Sequence, residues 1–364
     1  VNPLIMDGRD IIAVRDTQLG PNISVFYKDR GGLVAVRGEG CYLIDDSGNR
    51  HLDTCNNVAC VGHSHPNVVK AGQEALSQIQ TNQRFLHPGQ QRYLAKLLKT
   101  FPPELNTVYL VNSGSEANDL ALRMAREHTT ACNPNDVIVL NNAYHGNTAA
   151  TIEISPYKWS QATDGRNYKK PHVHVVSMPA TSSSPLLDHS NSARCDPSAS
   201  SMRWRSMGYT EESGAQYSAE VESIVSRTGG VGVFIAESAM GCGGQMLLPP
   251  SYLQRCYRAV RDTGGVCIAD EVQTGFSRSG THFWMFEMHG VVPDIVTLGK
   301  PMGNGYPISA VVCRRDVAES FAKTGIEYFN TFGGNSVACA IAEAVLDTIL
   351  TEGLQDHANR VGVY

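Results

Sequence analysis

The 364-residue chain carries 30 lysines and arginines against 35 aspartates and glutamates, a formal charge of −5, with 42% hydrophobic and 18% charged residues. That length and apolar content suffice for a large core and exclude wholesale disorder, and a mildly acidic balance without a basic block leaves no electrostatic footprint for nucleic acid. No stretch nears the ~18 consecutive apolar residues of a membrane span, and the opening VNPLIMDGRD lacks the basic and apolar regions of a secretory signal, so an intracellular protein, cytoplasmic or mitochondrial, is expected.

Up to about residue 65, apolar and polar residues alternate between turn signals, as in Leu33-Val34-Ala35-Val36 and Cys41-Tyr42-Leu43-Ile44, which predicts short hairpins. The style changes at Pro66. Helical spacing at Val68, Val69, Gly72, Leu76 and Ile79, and again over 93–98, 120–126 and 251–261, alternates with all-apolar runs at 108–111, 137–140, 172–176, 231–236, 266–269 and 295–298. Continuous apolar strands separated by helices predict an α/β fold, a mainly parallel sheet covered by helices on both faces. The expected division is an N-terminal hairpin segment over 1–65, a large domain over 66–325 and the start of a small α+β domain over 326–364. The serine-rich, aperiodic stretch 181–213 reads as an insertion loop inside the large domain. An amphipathic helix is expected over 336–350, and the chain stops at Tyr364 within the pattern of another helix. Ten cysteines form no CxxC pair and no zinc spacing, so they read as reduced, mostly buried thiols.

Four short motifs carry chemistry. In Asn112-Ser113-Gly114-Ser115-Glu116-Ala117-Asn118 a strand gives way to a glycine turn and a helix, with Ser113 and Glu116 at capping-box spacing. The free N–H groups of such a helix end suit an anion, although an ordinary capped helix explains the spacing as well. Ala143-Tyr144-His145-Gly146-Asn147 presents an aromatic at another strand end, fit to stack on a planar ligand or simply to close the core. Ala269-Asp270-Glu271-Val272-Gln273 sets two carboxylates at the end of a buried strand. Neighbouring strand side chains alternate, so only one of the pair faces a given pocket, and an acid pair capping a helix is the plainer alternative. Leu298-Gly299-Lys300-Pro301-Met302-Gly303 places a lysine directly after an apolar strand, where a partly buried amine can form an imine. There is no GxxxxGK[ST], GxGxxG or HExxH pattern, and a His-Pro turn explains His63 and His65 more simply than a metal does. An anion-binding helix end, an aromatic loop, a strand-end acid and a strand-end lysine are together what pyridoxal phosphate requires.

SGSEAND, AYHGNT, ADEVQTGF, TLGKPMGNGYP and NTFGGN resemble the class III aminotransferases, fold-type I enzymes dependent on pyridoxal phosphate, over about residues 10–180 and 215–364. The resemblance implies Lys300 as the residue that forms the imine and moves the proton, Asp270 on the ring nitrogen and Gln273 near the ring oxygen. It further implies Gly114 and Ser115 on the phosphate, Tyr144 stacked on the ring with His145 beside it, and Glu237 as the family's strand-end glutamate, followed here by Ser238 rather than proline. Thr331 would reach the phosphate of a neighbouring subunit, so a homodimer is implied.

Within the family, Asn56-Asn57-Val58-Ala59, Ile152-Glu153-Ile154-Ser155-Pro156-Tyr157-Lys158 and Gly243-Gly244-Gln245 resemble the phospho-lyase branch that acts on ethanolamine phosphate or 5-phosphohydroxylysine. Such a lyase needs a second cation for the substrate phosphate, for which Arg84 and Lys158 are candidates, each otherwise a plain surface charge. The serine-rich 181–213 departs from the branch, and the family's C-terminal domain is expected to be cut short at Tyr364. Three readings follow: a phospho-lyase yielding aldehyde, ammonia and phosphate, a transaminase of alanine–glyoxylate type, and a non-catalytic truncated member.

Overall fold

In the computed structural model, which describes residues 8–159, 161–179, 209–210 and 212–362, the first element is a helix, Gly8–Gln18, and not a hairpin. The helix buries no residue and leaves Ile11 and Val14 exposed, so it has no sequence signature of an apolar stripe. The expected hairpins begin after it, as an antiparallel sheet of β1 (Ala35–Glu39), β2 (Tyr42–Asp45) and β3 (Arg50–Leu52).

The apolar runs become β4 (Leu105–Val111), β5 (Val137–Leu140), β6 (Val173–Val176) and β7 (Val233–Glu237). After the short pair β8 (Ala239–Met240) and β9 (Met246–Leu247) come β10 (Val266–Asp270), β11 (Ile295–Leu298) and β12 (Ser309–Arg314). Seven of these form one sheet in the order β4-β12-β11-β10-β7-β5-β6. The five strands from β11 to β6 are mutually parallel, whereas β12 runs antiparallel to both β11 and β4. The sheet is therefore mixed but mostly parallel, and β12 is the strand that the sequence reading did not single out.

Alternation along the strands divides the core between two faces. Val233, Ile235 and Ile268 pack under the Gly114–His128 and Arg315–Ala322 helices, together with Leu120, Met124 and Phe321. Phe234, Ala236 and Cys267 face the opposite side, against the Ser213–Thr228 and Tyr252–Arg261 helices. Farther along that side, Val296, Leu298 and Val312 meet Val337, Ile341 and Leu346 of the Ser336–Thr351 helix. Helices on both faces explain why the strands read as unbroken apolar runs rather than alternating ones.

Of the nine described cysteines, Cys256, Cys267, Cys313 and Cys339 are buried, Cys60 and Cys242 are half-buried, and Cys41, Cys55 and Cys132 are exposed. All nine are free thiols, as expected, but only four are buried, on β10, β12 and the Tyr252–Arg261 and Ser336–Thr351 helices, so they are not mostly buried. Most of the serine-rich 181–213 lies outside the described residues. At its end Tyr209 is buried, its hydroxyl donating to the carbonyls of Pro179 and Leu247, and Ser213 opens a helix. Among the described residues no helix is long and apolar enough to cross a membrane.

Candidate active site

The chemistry-bearing residues converge at the carboxyl ends of adjacent parallel strands, β11, β10 and β7, which deliver Lys300, Asp270 and Glu237. The helix end at Gly114 joins them because two glycines permit close packing. A Cβ on Gly114 would lie 2.5 Å from the Val272 side chain, and one on Gly299 would lie 2.9 Å from Val272 and 3.4 Å from the Gly114 Cα. Any larger residue at either place would push the helix end and the lysine turn apart.

Asp270 is almost wholly buried, and its two oxygens are used differently. Oδ2 accepts from the Asn118 amide at 2.8 Å and meets His145 Nδ1 at 2.7 Å, while among the described residues Oδ1 accepts only from the Val272 N–H at 3.0 Å. A carboxylate oxygen accepts, so in this contact the His145 hydrogen lies on Nδ1, and Nε2 is buried without a partner among the described residues. Oδ1 retains the capacity for one more donor. Asn118 is itself locked, because its Nδ2 also donates to the His145 carbonyl at 2.7 Å and its Oδ1 accepts from Thr297 Oγ1 at 2.7 Å. Neither Asn118 nor Thr297 was singled out from the sequence. The available signal was a polar residue at position 118, inside the apolar stripe formed by Ala117, Leu120, Ala121 and Met124.

Glu271 turns to the other side of the strand end, as alternation requires. Its oxygens accept from the N–H groups of Met285 and Phe286 at 2.9 Å each, which makes it an internal anchor for that turn. Glu237 is buried beside Asp270 and accepts from the Gly241 N–H at 3.2 Å, while its Oε2 has no hydrogen-bond partner among the described residues. Burial, reinforced by the negative charge of Asp270, pushes the Glu237 carboxyl up to about 7.

Lys300 Nζ donates to Gln273 Oε1 at 2.7 Å, so the amine faces a neutral amide and not a carboxylate. Ser113 caps its helix by accepting from the Glu116 N–H at 3.2 Å. The reciprocal half of the capping box is displaced, because Glu116 Oε2 accepts from the Asn112 N–H and from the side chains of Asn112 and Asn330. The N–H groups of Gly114 and Ser115, in the first turn of the helix, precede its own hydrogen-bond ladder. Ser115 Oγ accepts from the Asn147 N–H at 3.1 Å, tying this helix end to the aromatic loop. Tyr144 is half-buried, edge-on to Tyr157, and the Lys158 ammonium lies 5.7 Å from its ring centre.

Arg84 and Thr331 sit elsewhere. Arg84 is drawn into a bidentate pair with Glu327, at 2.9–3.2 Å, and its guanidinium covers the Phe329 ring. The structure thus gives it a carboxylate partner and does not bring it into the network around Asp270. Thr331 is exposed on the turn after Asn330, flanked by exposed Phe329 and Phe332. The histidines of the 62–66 turn pair with carboxylates, His63 with Asp53 at 2.6 Å and His65 with Glu352 at 3.1 Å, and His65 precedes the helix opened by Pro66.

The donor set fits pyridoxal phosphate. One buried carboxylate oxygen has capacity left for a ring N–H, a helix N-terminus that can donate to a phosphate packs against the turn that bears Lys300, and Tyr144 supplies a half-buried aromatic.

The comparisons agree. The aminotransferase class-III family profile matches residues 27–364. A Drosophila melanogaster protein named alanine–glyoxylate aminotransferase 2-like is 45% identical over 98% of this chain and 68% of its own length. A Caenorhabditis elegans ethanolamine-phosphate phospho-lyase homolog 1 is 39% identical over 97% of this chain and 73% of its own. An Arthrobacter phospholyase solved in complex with phosphoethanolamine superposes with a TM-score of 0.79 at 35% identity, covering 97% of this chain and 77% of that one. Fold, donor set and sequence converge, and the chain belongs to the class-III aminotransferases, enzymes that depend on pyridoxal phosphate.

Proposed function

We propose that the protein is a phospho-lyase acting on a small phosphorylated amine, O-phosphoethanolamine or 5-phosphohydroxylysine. With O-phosphoethanolamine, substrate and one water would give acetaldehyde, ammonia and inorganic phosphate. Pyridoxal phosphate, when bound, supplies a ring that takes up the electron pair left on a deprotonated carbon. The remaining work falls to the chain's own side chains. Lys300 Nζ takes the proton from the amine-bearing carbon, and Gln273 steadies that amine through the neutral contact already described. Asp270 holds a proton at the ring nitrogen through Oδ1, with Oδ2 fixed by Asn118 and His145. Gly114 and Ser115 would hold the cofactor phosphate through their N–H groups, and Tyr144 would supply the aromatic against its ring.

The observation that carries the lyase reading is Lys158. Its ammonium stands over the rings of Tyr144 and Tyr157, and its hydrogen bond goes to the neutral Gln161 amide at 3.4 Å. A cation beside Tyr144 that, among the described residues, meets only neutral groups suits a phosphate on the carbon next to the amine. The phosphoethanolamine complex of the Arthrobacter relative and the name of the nematode one support the same substrate class.

The name of the Drosophila relative favours a second reading, a transaminase that passes the amino group to a 2-oxo acid. One assay separates them. Phosphate released from O-phosphoethanolamine by the loaded protein, with no 2-oxo acid present, supports the lyase. Amino transfer that requires a 2-oxo acid and frees no phosphate supports the transaminase. We further propose a homodimer in which Thr331 serves the neighbouring subunit's phosphate site. The turn that bears it exposes 70% of Phe332, and the nearby loop exposes 94% of Leu86. Light scattering at micromolar concentration tests that assembly.

A further inference from the structure

The lysine turn is held from a second side. Lys300 opens a 3₁₀ turn, Lys300–Gly303, with a φ of +21°, which residues bearing a Cβ rarely adopt. The hydrogen bonds of the turn are short-range ones, from the Met302 N–H to the Gly299 carbonyl at 2.9 Å and from the Asn304 N–H to the Pro301 carbonyl at 3.0 Å. Asn304 follows in the left-handed region, with a φ of +50°. Its side-chain amide spans to the segment ahead of the Pro66–Leu76 helix. Nδ2 donates to the Gly62 carbonyl at 2.8 Å, and Oδ1 accepts from the Val61 N–H at 3.0 Å. Beside this bridge Cys60 Sγ donates to the Pro301 carbonyl at 3.2 Å, and burial pushes that thiol up to about 12, so it stays a neutral donor. The 60–63 segment is firm in turn. His63 and Gly40 exchange backbone hydrogen bonds, and the His63 ring is paired with Asp53.

We propose that Asn304 is a positioning residue for Lys300: its amide, aided by the Cys60 thiol, pins the lysine turn to residues 60–62 and fixes the direction in which Nζ leaves the backbone. A backbone angle this unusual persists only where its surroundings over-determine it. The bridge brings that constraint from a part of the chain remote in sequence, and it reaches both sides of the turn, at Pro301 and at Asn304. The proposal rests on Lys300 being the family's cofactor lysine, and it is indifferent to the choice between lyase and transaminase.

The test uses Asn304→Gly in the full chain, because glycine keeps the left-handed conformation at no steric cost and removes only the amide. In the cofactor-free protein, backbone amides of the 301–304 turn should exchange about tenfold faster than in the wild type. In the loaded protein the pH midpoint of the bound-cofactor absorption band should move by about half a unit or more. The fall in kcat should be about tenfold to a hundredfold with KM changed less than about threefold, as for a misdirected reacting group. Faster exchange with a wild-type midpoint and kcat would mean that the bridge secures a loop and not the lysine, which overturns the proposal. Should Asn304→Gly fail to fold, Cys60→Ala decides. A shift of the midpoint in the same direction supports positioning, and a wild-type midpoint overturns it. Because the midpoint is read without substrate, its failure is distinct from failure of the phospho-lyase reading, which is read on phosphate release.

Discussion

Glu237 and Asp270 stand opposite each other in register at the ends of the parallel strands β7 and β10, so two carboxylates share one face of the sheet. Their surroundings differ. Asp270 draws donors from Asn118, His145 and Val272, whereas the hydrogen bond of Glu237 comes from the Gly241 N–H. Buried, and placed against a second carboxylate, Glu237 keeps its proton to a higher pH than an ordinary glutamate.

The first prediction follows from that proton. Glu237 titrates near 4.5 unfolded and near 7 in the folded, cofactor-free chain, so the native state binds the proton more tightly. Its contribution to stability is therefore complete below about 4.5, falls as pH rises through the window to 7, and is level above it. The loss amounts to about 3 kcal/mol at most. Thermal melts of the cofactor-free protein at pH 5 and pH 8 should show a smaller difference for Glu237→Gln than for the wild type. Equal differences would remove Glu237 as the cause.

The Asn118 amide gives a second prediction. Asn118→Ala strips one donor from Asp270 and leaves the Thr297 hydroxyl and the His145 carbonyl unpaired in the interior. Each group left so costs about 1–3 kcal/mol. Urea unfolding should register that loss, and cofactor titration should show affinity weakened about tenfold or more. Adding Thr297→Val should recover part of the stability and none of the affinity. Recovery of both would mean that Asn118 serves packing alone.

Lys158→Met retains the stem over Tyr144 and removes the charge. Steady-state kinetics should show KM for O-phosphoethanolamine raised about tenfold or more, the worth of one charge-assisted bond, with the response to an unphosphorylated amine unchanged. Raising the salt should weaken wild-type binding toward that of the variant. An equal loss for both amines would take Lys158 away from the phosphate.

The backbone of Lys300 offers a fourth. Lys300→Ala and Lys300→Gly should both lose the cofactor absorption band. The glycine variant should nevertheless be the more stable, because a positive φ costs a Cβ-bearing residue about 1–2 kcal/mol and glycine returns only part of that through its freer unfolded chain. Urea midpoints decide the order, and an alanine variant at least as stable as the glycine one would show that the angle is unstrained.

Much of the sheet was legible because strands buried on both faces favour apolar residues: Val137–Leu140 is apolar throughout, Ile295–Leu298 is apolar but for Thr297, and both appear as strands with those bounds. β12 is apolar only between Ser309 and Arg314, follows the glycine-rich lysine turn and pairs antiparallel, a relation no local pattern announces. The Gly8–Gln18 helix escaped for the opposite reason, having no buried face to print a period on the sequence. At the site, Lys300 and Asp270 stood out because charge is rare at the end of an apolar strand. Asn118, Thr297 and Asn304 did not, since what distinguishes them is a partner far along the chain. Arg84 was equally opaque, as nothing at position 84 foretells a carboxylate at position 327.

The strand order also governs when the site can come into being. Lys300 and the Gly114 helix end belong to β11 and β4, which never pair with each other. β12 lies between them, joining Ala310 to Leu298 on one side and to Leu110 on the other. Within the sheet, β12 is therefore the strand that connects β4 to the parallel strands carrying the acid and the lysine. Long-range pairing of this kind forms slowly, so cofactor uptake during refolding is expected to follow completion of the central sheet. Uptake of pyridoxal phosphate during refolding would report the completion of the central sheet rather than the formation of either half.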